Sequence, residues 1–93
     1  MLYPILTLSD EYSTEITASK PDRNNEVKVF VEWVNNDDFE NITFLISAEK
    51  KAYIIEQNTK DEVRMKRYLN LVEKMRADIL DYISDKGKEV QYA

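Results

Sequence analysis

Apolar and polar residues alternate along much of the N-terminal two-thirds of the chain, which is the two-residue period of a strand with one buried face. The clearest alternation predicts a central strand whose buried row is Val27, Val29, Val31 and Trp33. Weaker versions of the same pattern occur before and after it. Strands are predicted at residues 2–8, 12–19, 26–34, 41–47 and 52–56.

The connections between these segments are short, whereas parallel neighbours need a crossover of a dozen or more residues. The sequence therefore predicts an antiparallel meander of four to five strands. The longest polar connections are residues 20–25 and residues 35–40. We expect the second of these, Asn-Asn-Asp-Asp-Phe-Glu, to form an acidic loop between the third and fourth strands.

After Thr59 the apolar period changes to that of an α-helix. Thr59 and Glu62 have the spacing of a capping box, and Lys86 followed by Gly87 is typical of a helix end. A helix is predicted over residues 60–86, and the whole chain, residues 1–93, is predicted to be one α+β domain. The apolar stripe comprises Met65, Tyr68, Leu69, Val72, Met75, Ile79, Tyr82 and Ile83, flanked by Leu71 and Leu80. Part of this stripe also repeats in sevens, so pairing with a second copy as a homodimer is the alternative to packing on the sheet.

The composition of the chain excludes several kinds of catalytic and binding site. The chain has 93 residues with no cysteine, no histidine and a single glycine, Gly87. Histidine-dependent catalysis, thiolate chemistry and glycine-rich phosphate loops are therefore excluded. We expect no catalytic residue, no cofactor and no metal site, and therefore a protein that is not an enzyme. The longest apolar runs are far shorter than the roughly 20 residues that cross a bilayer, so we expect a cytoplasmic protein that does not bind membranes.

The charge is unevenly distributed. The chain carries a net charge of −5, and residues 1–59 hold eleven acidic against five basic side chains, a net −6. Such a field repels phosphate, so direct binding to nucleic acid is not expected. It attracts cationic surfaces, and a basic protein partner is the interpretation that fits best.

Four neighbouring residues, Asp37, Asp38, Phe39 and Glu40, form the first candidate site. The three carboxylates lack the alternating ligands and glycine of a calcium loop, and a solvated loop is the plainer interpretation. An aromatic side chain between charges is also a common interface anchor, so Phe39 either contacts a partner or folds back onto the core edge.

Phe30 and Val34 form a second candidate site, on the side of the central strand opposite the valine row. A single helix covers only one face of a sheet. Either residues 2–8 fold over the second face, or that face meets a partner.

Arg76 is the third candidate, because it lies about 20° around the helix from Met65, inside the apolar stripe. Its guanidinium either pairs with an acid on the sheet or on a bound protein, or reaches water while its stem lies on apolar surface.

These observations predict a small acidic protein-binding module, a regulator or inhibitor that docks on a basic protein surface. Small bacteriophage and mobile-element proteins share this size and charge, which is a likeness of character and not of motif. The alternative is a structural or assembly subunit that forms a homo-oligomer through the helix and the second sheet face. The partner-binding residues proposed are Asp37, Asp38, Phe39, Glu40, Phe30, Val34 and Arg76.

Overall fold

The computed structural model describes residues 2–8 and 13–91, with side chains as far as Lys86. The described residues form five β-strands followed by one α-helix. In chain order these are β1 (Tyr3–Leu8), β2 (Thr14–Ala18), β3 (Val27–Asn35), β4 (Asp38–Ile46), β5 (Tyr53–Asn58) and α1 (Glu62–Gln91). The predicted α+β fold, an antiparallel sheet with one long C-terminal helix, is confirmed.

The sheet is a simple meander in which each strand pairs antiparallel with its neighbours in the chain, in the order β1-β2-β3-β4-β5. The β3–β4 pair is the longest, running from Val27 opposite Ile46 to Asn35 opposite Asp38. β1 and β5 are the edges. The alternative in which residues 2–8 fold over the second face is wrong, because β1 pairs with β2 and extends the sheet.

The helix packs on one face of the sheet, and the core lies between them. The predicted row Val27, Val29, Val31 and Trp33 is buried there. So are the alternate residues of the flanking strands, which are Thr14, Ile16, Ala18, Ile42, Phe44 and Ile46. Tyr12, predicted to join the β2 row, lies outside the described residues. On the helix, Tyr68, Val72, Ile79 and Ile83 are buried, whereas Tyr82 is partly exposed.

The predicted acidic loop at residues 35–40 is wrong. β3 and β4 continue to Asn35 and Asp38, and only Asn36 and Asp37 lie between them. Both have positive φ, 50° and 71°, the geometry of a two-residue turn whose twist matches that of the flanking strands. Asn and Asp enter this left-handed region more easily than other non-glycine residues. Asp38, Phe39 and Glu40 therefore belong to β4.

The helix start also differs from the prediction, because the cap is Asp61 and not Thr59. The Asp61 Oδ1 accepts the Arg64 amide at 3.0 Å, and the Asp61 carbonyl accepts the Met65 amide at 3.0 Å. The Thr59 hydroxyl accepts the Asp61 amide at 3.1 Å. An aspartate caps a helix at least as well as threonine and adds a negative charge at the positive end of the helix.

The α1 backbone continues past the predicted end at Lys86 and Gly87, to Gln91. A glycine inside a helix costs only about 1 kcal/mol, so one glycine does not dictate an end. At 30 residues α1 is about 45 Å long, whereas the nine-residue strands β3 and β4 span about 30 Å. α1 is therefore longer than the strands on which it packs.

Candidate functional site

The face of the sheet that points away from α1 is uncovered by any described element, and we call it the open face. Strand pairing assigns its members, because residues opposite each other in register point to the same side. They are Pro4, Thr7, Glu15, Thr17, Lys28, Phe30, Glu32, Val34, Phe39, Asn41, Thr43, Leu45, Tyr53, Glu56 and Asn58.

Val34 and Phe39 form an apolar pair at the turn end of the open face. They lie directly opposite each other on β3 and β4, and their side chains are 43% and 75% exposed. Phe30 lies two residues before Glu32 on β3, further from the turn, and is half-buried. The idea that Phe39 folds back onto the core edge is therefore wrong. Phe30 and Val34 do lie on the second face, as predicted.

Two carboxylates lie side by side in the next row of the open face, two residues along β3 from Val34. Glu15 on β2 is directly opposite Glu32 on β3, and both side chains are exposed. Like charges in this arrangement repel and destabilise the sheet. The next residues across the sheet are Thr7 and Asn41, neither of which is cationic. Within the part of the chain that the structure describes, no ion pair involves either carboxylate.

The open face as a whole is anionic. It carries Glu15, Glu32 and Glu56 against a single cation, Lys28. Lys28 is four residues from Glu32 along β3, about 13 Å away. A charge at that distance is screened by physiological salt, so Lys28 does little to relieve the glutamate pair.

A second apolar pair, Leu45 opposite Tyr53, lies beside Lys28 at the other end of the face. Tyr53 is 44% exposed. Between the two ends, small Thr43 lies in register between Phe30 and Glu56 and is buried. The open face thus presents apolar side chains at both ends and carboxylates between them.

The predicted acidic cluster is split by the strand geometry. Asp37 lies in the turn and Phe39 on the open face, but Glu40 is opposite Trp33 on the helix side. There Glu40 Oε1 accepts the Trp33 indole N–H at 2.9 Å and the Thr59 hydroxyl at 3.3 Å. Glu40 is therefore committed to internal contacts. The grouping of Asp37, Asp38, Phe39 and Glu40 as one loop site is wrong.

Arg76 has internal partners that neither sequence interpretation foresaw. Its guanidinium donates to the Ser47 carbonyl at 2.9 Å and to the Lys50 carbonyl, and it pairs with Glu73 at 3.2 Å. Glu73 in turn accepts the Ala52 amide at 2.7 Å. The two side chains together fasten the connection between β4 and β5 to α1. A role for Arg76 in contacting a partner stays a prediction.

Sequence reasoning missed a buried arginine at the start of α1. Arg64 is 4% exposed, and its guanidinium carbon lies 5.0 Å from the Trp33 ring centre and 5.5 Å from that of Tyr68. It also donates to the Tyr68 hydroxyl, which lies 3.0 Å from the Thr14 hydroxyl oxygen. The signal was present, because Arg64, Tyr68 and Val72 are spaced by four and share one helix face.

The described residues contain no group of three or more acidic side chains placed to hold a metal ion. A concave region of about 310 Å³ between α1 and the β4–β5 connection is lined by the ion-paired side chains of Glu73 and Arg76. Over the described ranges, no helix is long and apolar enough to span a membrane. What the surface does offer is apolar contact beside carboxylates that attract cations.

Comparison with known proteins adds no assignment. No protein-family model matches the chain, and no curated protein sequence or solved structure is significantly similar to it. The function is therefore argued from the residues of the open face.

Proposed function

We propose that this protein is a small acidic binding module, a regulator or inhibitor that docks through its open face on a basic surface of another protein. The observation that carries the proposal is the juxtaposition of the exposed Val34–Phe39 pair with the uncompensated Glu15–Glu32 pair. Apolar patches bounded by polar residues mark interaction sites.

Docking of a cation between Glu15 and Glu32 converts a repulsive pair into an attractive cluster. The two side chains lie on neighbouring strands, about 5 Å apart at their Cβ atoms, so one lysine or arginine reaches both. Arginine fits best, because its planar guanidinium donates to two carboxylates at once. The free protein thus holds an unfavourable contact that a basic partner relieves.

Phe39 supplies the apolar part of the contact. At 75% exposure Phe39 still has most of its surface to bury, and exposed aromatic side chains are common anchors of protein interfaces. Val34 and Phe30 extend the apolar surface along β3. Charge on the face then governs which partner is accepted and how fast it associates.

A homo-oligomer through the same face is the weaker candidate. Face-to-face pairing of two copies brings six glutamates together with only two lysines from the residues that define the face. Each copy also carries a net charge of −5. Repulsion of this kind opposes self-association and favours a cationic partner.

Three further parts of the proposal rest on composition. The absence of histidine and cysteine supports action by contact without catalysis. The acidic face argues against direct binding to nucleic acid. A cysteine-free chain suits the reducing cytoplasm, where we place the protein.

The test is capture of partners from an extract of the source cells by the immobilised protein and by three variants. Glu15→Lys with Glu32→Lys reverses the acidic pair, and Phe39→Ser removes the anchor. The matched control is Asp81→Lys with Asp85→Lys, which makes the same charge change at an exposed acidic pair one turn apart on α1.

We expect the wild type and the α1 control to retain the same basic protein, and both open-face variants to lose it. Raising the salt from about 0.05 M to about 0.5 M should release it, because screening weakens contacts between exposed charges. Equal retention by all four proteins would show that the open face is not the binding surface. Retention of an acidic protein, or concentration-dependent dimers in light scattering, would contradict the basic partner.

A further inference from the structure

We infer that the element of the partner that lies on the open face is an amphipathic basic helix, with a cationic side chain one helical turn from an apolar side chain in each direction. This inference rests on the proposed function. It follows from the order of the side-chain rows along β3 and from the hydrogen-bonding needs of whatever backbone covers a sheet face.

The rows of the open face follow a fixed order along β3. The first row is the Val34–Phe39 pair, the second is the Glu15–Glu32 pair, and the third contains Phe30. Alternate residues of a strand are about 6.6 Å apart. A complementary element must therefore present an apolar, a cationic and again an apolar group at steps of about 6 to 7 Å.

A helix supplies this spacing with residues four apart, since each four-residue step advances about 6 Å along its axis. Residues at i, i+4 and i+8 also form a continuous ridge on the helix surface, inclined by about 26° to the axis. The ridge can follow β3 when the helix axis crosses the strands at a modest angle. Apolar, basic and apolar side chains at these three positions meet the three rows in turn.

An extended segment offers a similar spacing but a poorer contact. The hydrogen-bonding groups of the sheet point along its plane to neighbouring strands, so a single strand lying on the open face finds no backbone partner there. Its own amides and carbonyls would be partly buried without partners. A helix satisfies its backbone internally. The sheet already accommodates one in this way, on the face that α1 covers.

The cation must be on the partner, because nothing on the open face supplies one at that row. Lys28 lies about 13 Å from Glu32, beside the Leu45–Tyr53 pair. An uncharged or acidic residue at the middle position would leave the glutamate repulsion in place. The middle position of the ridge therefore carries arginine or lysine.

The test uses synthetic helical peptides of 17 residues, a length of about 25 Å that spans the rows. The probe has leucine at its fifth and thirteenth positions, arginine at its ninth, and alanine or glutamine elsewhere, with a staple on the opposite side. The first control moves the arginine two positions, off the ridge, without changing composition. The second control keeps the two leucines and the arginine in place but has a proline near its centre instead of the staple, which breaks the helix.

Fluorescence anisotropy should show the probe binding at least about tenfold more tightly than either control. The variant Glu15→Gln with Glu32→Gln should lose at least about tenfold of that affinity, whereas Asp81→Asn with Asp85→Asn should not. If the proline peptide binds as tightly as the probe, the inference that the partner element is a helix is wrong. Equal binding of the displaced-arginine peptide, or of the probe to the open-face variant, would overturn the row assignment.

Failure of the helix and failure of the docking function are distinguishable. If the open-face variants lose the captured partner but no helical peptide binds the wild type, the face is a docking surface for another kind of element. If the open-face variants also retain the captured partner, both proposals are wrong: docking through the open face and the helical form of the partner.

Discussion

The two faces of the sheet are made by the same strands and differ only in which alternate residues they present. On β4, Phe44 is fully buried against α1, whereas Phe39, an odd number of residues away, is 75% exposed on the open face. The helix face holds the core and the hydrogen-bonded group around Trp33. The open face has solvent-exposed apolar side chains and two glutamates that lie opposite each other. This difference separates the residues that hold the fold from those free to contact a partner.

The largest expected difference between the two faces is in the contributions of the two β4 phenylalanines to stability. Phe44→Ala should lower the free energy of unfolding by about 4 kcal/mol, because it opens a cavity in the core. Phe39→Ala should change it by less than about 0.5 kcal/mol, since the side chain is mostly in water. Urea unfolding measures both. Similar losses for the two variants would mean that the open face is part of the core.

Arg64 tests whether the polar group on the helix face stabilises the fold. Arg64→Ala should cost about 3 kcal/mol, because it removes a buried charge that is stacked on Trp33 and hydrogen-bonded to Tyr68. The matched control is Arg67→Ala, an exposed arginine on the same helix, with an expected effect within about 0.5 kcal/mol. Thermal unfolding followed by Trp33 fluorescence measures both. Equal melting of the two variants would contradict a structural role for Arg64.

Arg76 tests the attachment of the β4–β5 connection. Arg76→Leu should cost about 1 to 2 kcal/mol through the lost bonds to the Ser47 and Lys50 carbonyls. Amide hydrogen exchange should increase over residues 47–52, while exchange in β3 follows the global loss only. Lys74→Leu, at an exposed position on α1, is the control. Unchanged exchange in the connection would show that its order does not depend on Arg76.

The smallest expected effect has the opposite sign. Glu15→Gln should raise the free energy of unfolding by about 0.5 kcal/mol, because it removes the repulsion from Glu32. The gain should vanish when Glu32 is already glutamine, and a double-mutant cycle in urea measures this coupling. A destabilising Glu15→Gln would show that the carboxylate has a favourable partner within the chain.

Alternation alone was enough to predict the sheet. The alternation places the row Val27 to Trp33 on the buried face, as the structure does, because a strand's period leaves no other arrangement once one side is apolar. The apolar stripe after Thr59 likewise predicted α1. The same parity places Phe30 and Val34 on the face opposite the helix, but it does not place Phe39 there, because Phe39 is expected in a loop.

The errors arose where several local solutions compete. The Asn36–Asp37 turn was hidden because four polar residues in a row are typical of a loop, although Asn and Asp also form tight left-handed turns. Thr59 and Asp61 are both good caps, and the choice depends on contacts that the sequence does not display. The Glu15–Glu32 pair was missed for a related reason, since cross-strand register is a tertiary property. Arg64 lies one residue before the apolar stripe, which begins at Met65, so the stripe does not indicate that Arg64 is buried.

The central claim, that the open face contacts a basic partner, is tested most directly by site-specific photo-crosslinking in the source cells. p-Benzoylphenylalanine is placed at Phe39 on the open face or at Tyr82, a partly exposed aromatic residue on α1. The account predicts a crosslink from position 39 to a basic protein, lost when Glu15 and Glu32 are changed to lysine, and no such product from position 82. Crosslinks from position 82 alone, or from position 39 only to a second copy of the chain, would contradict it.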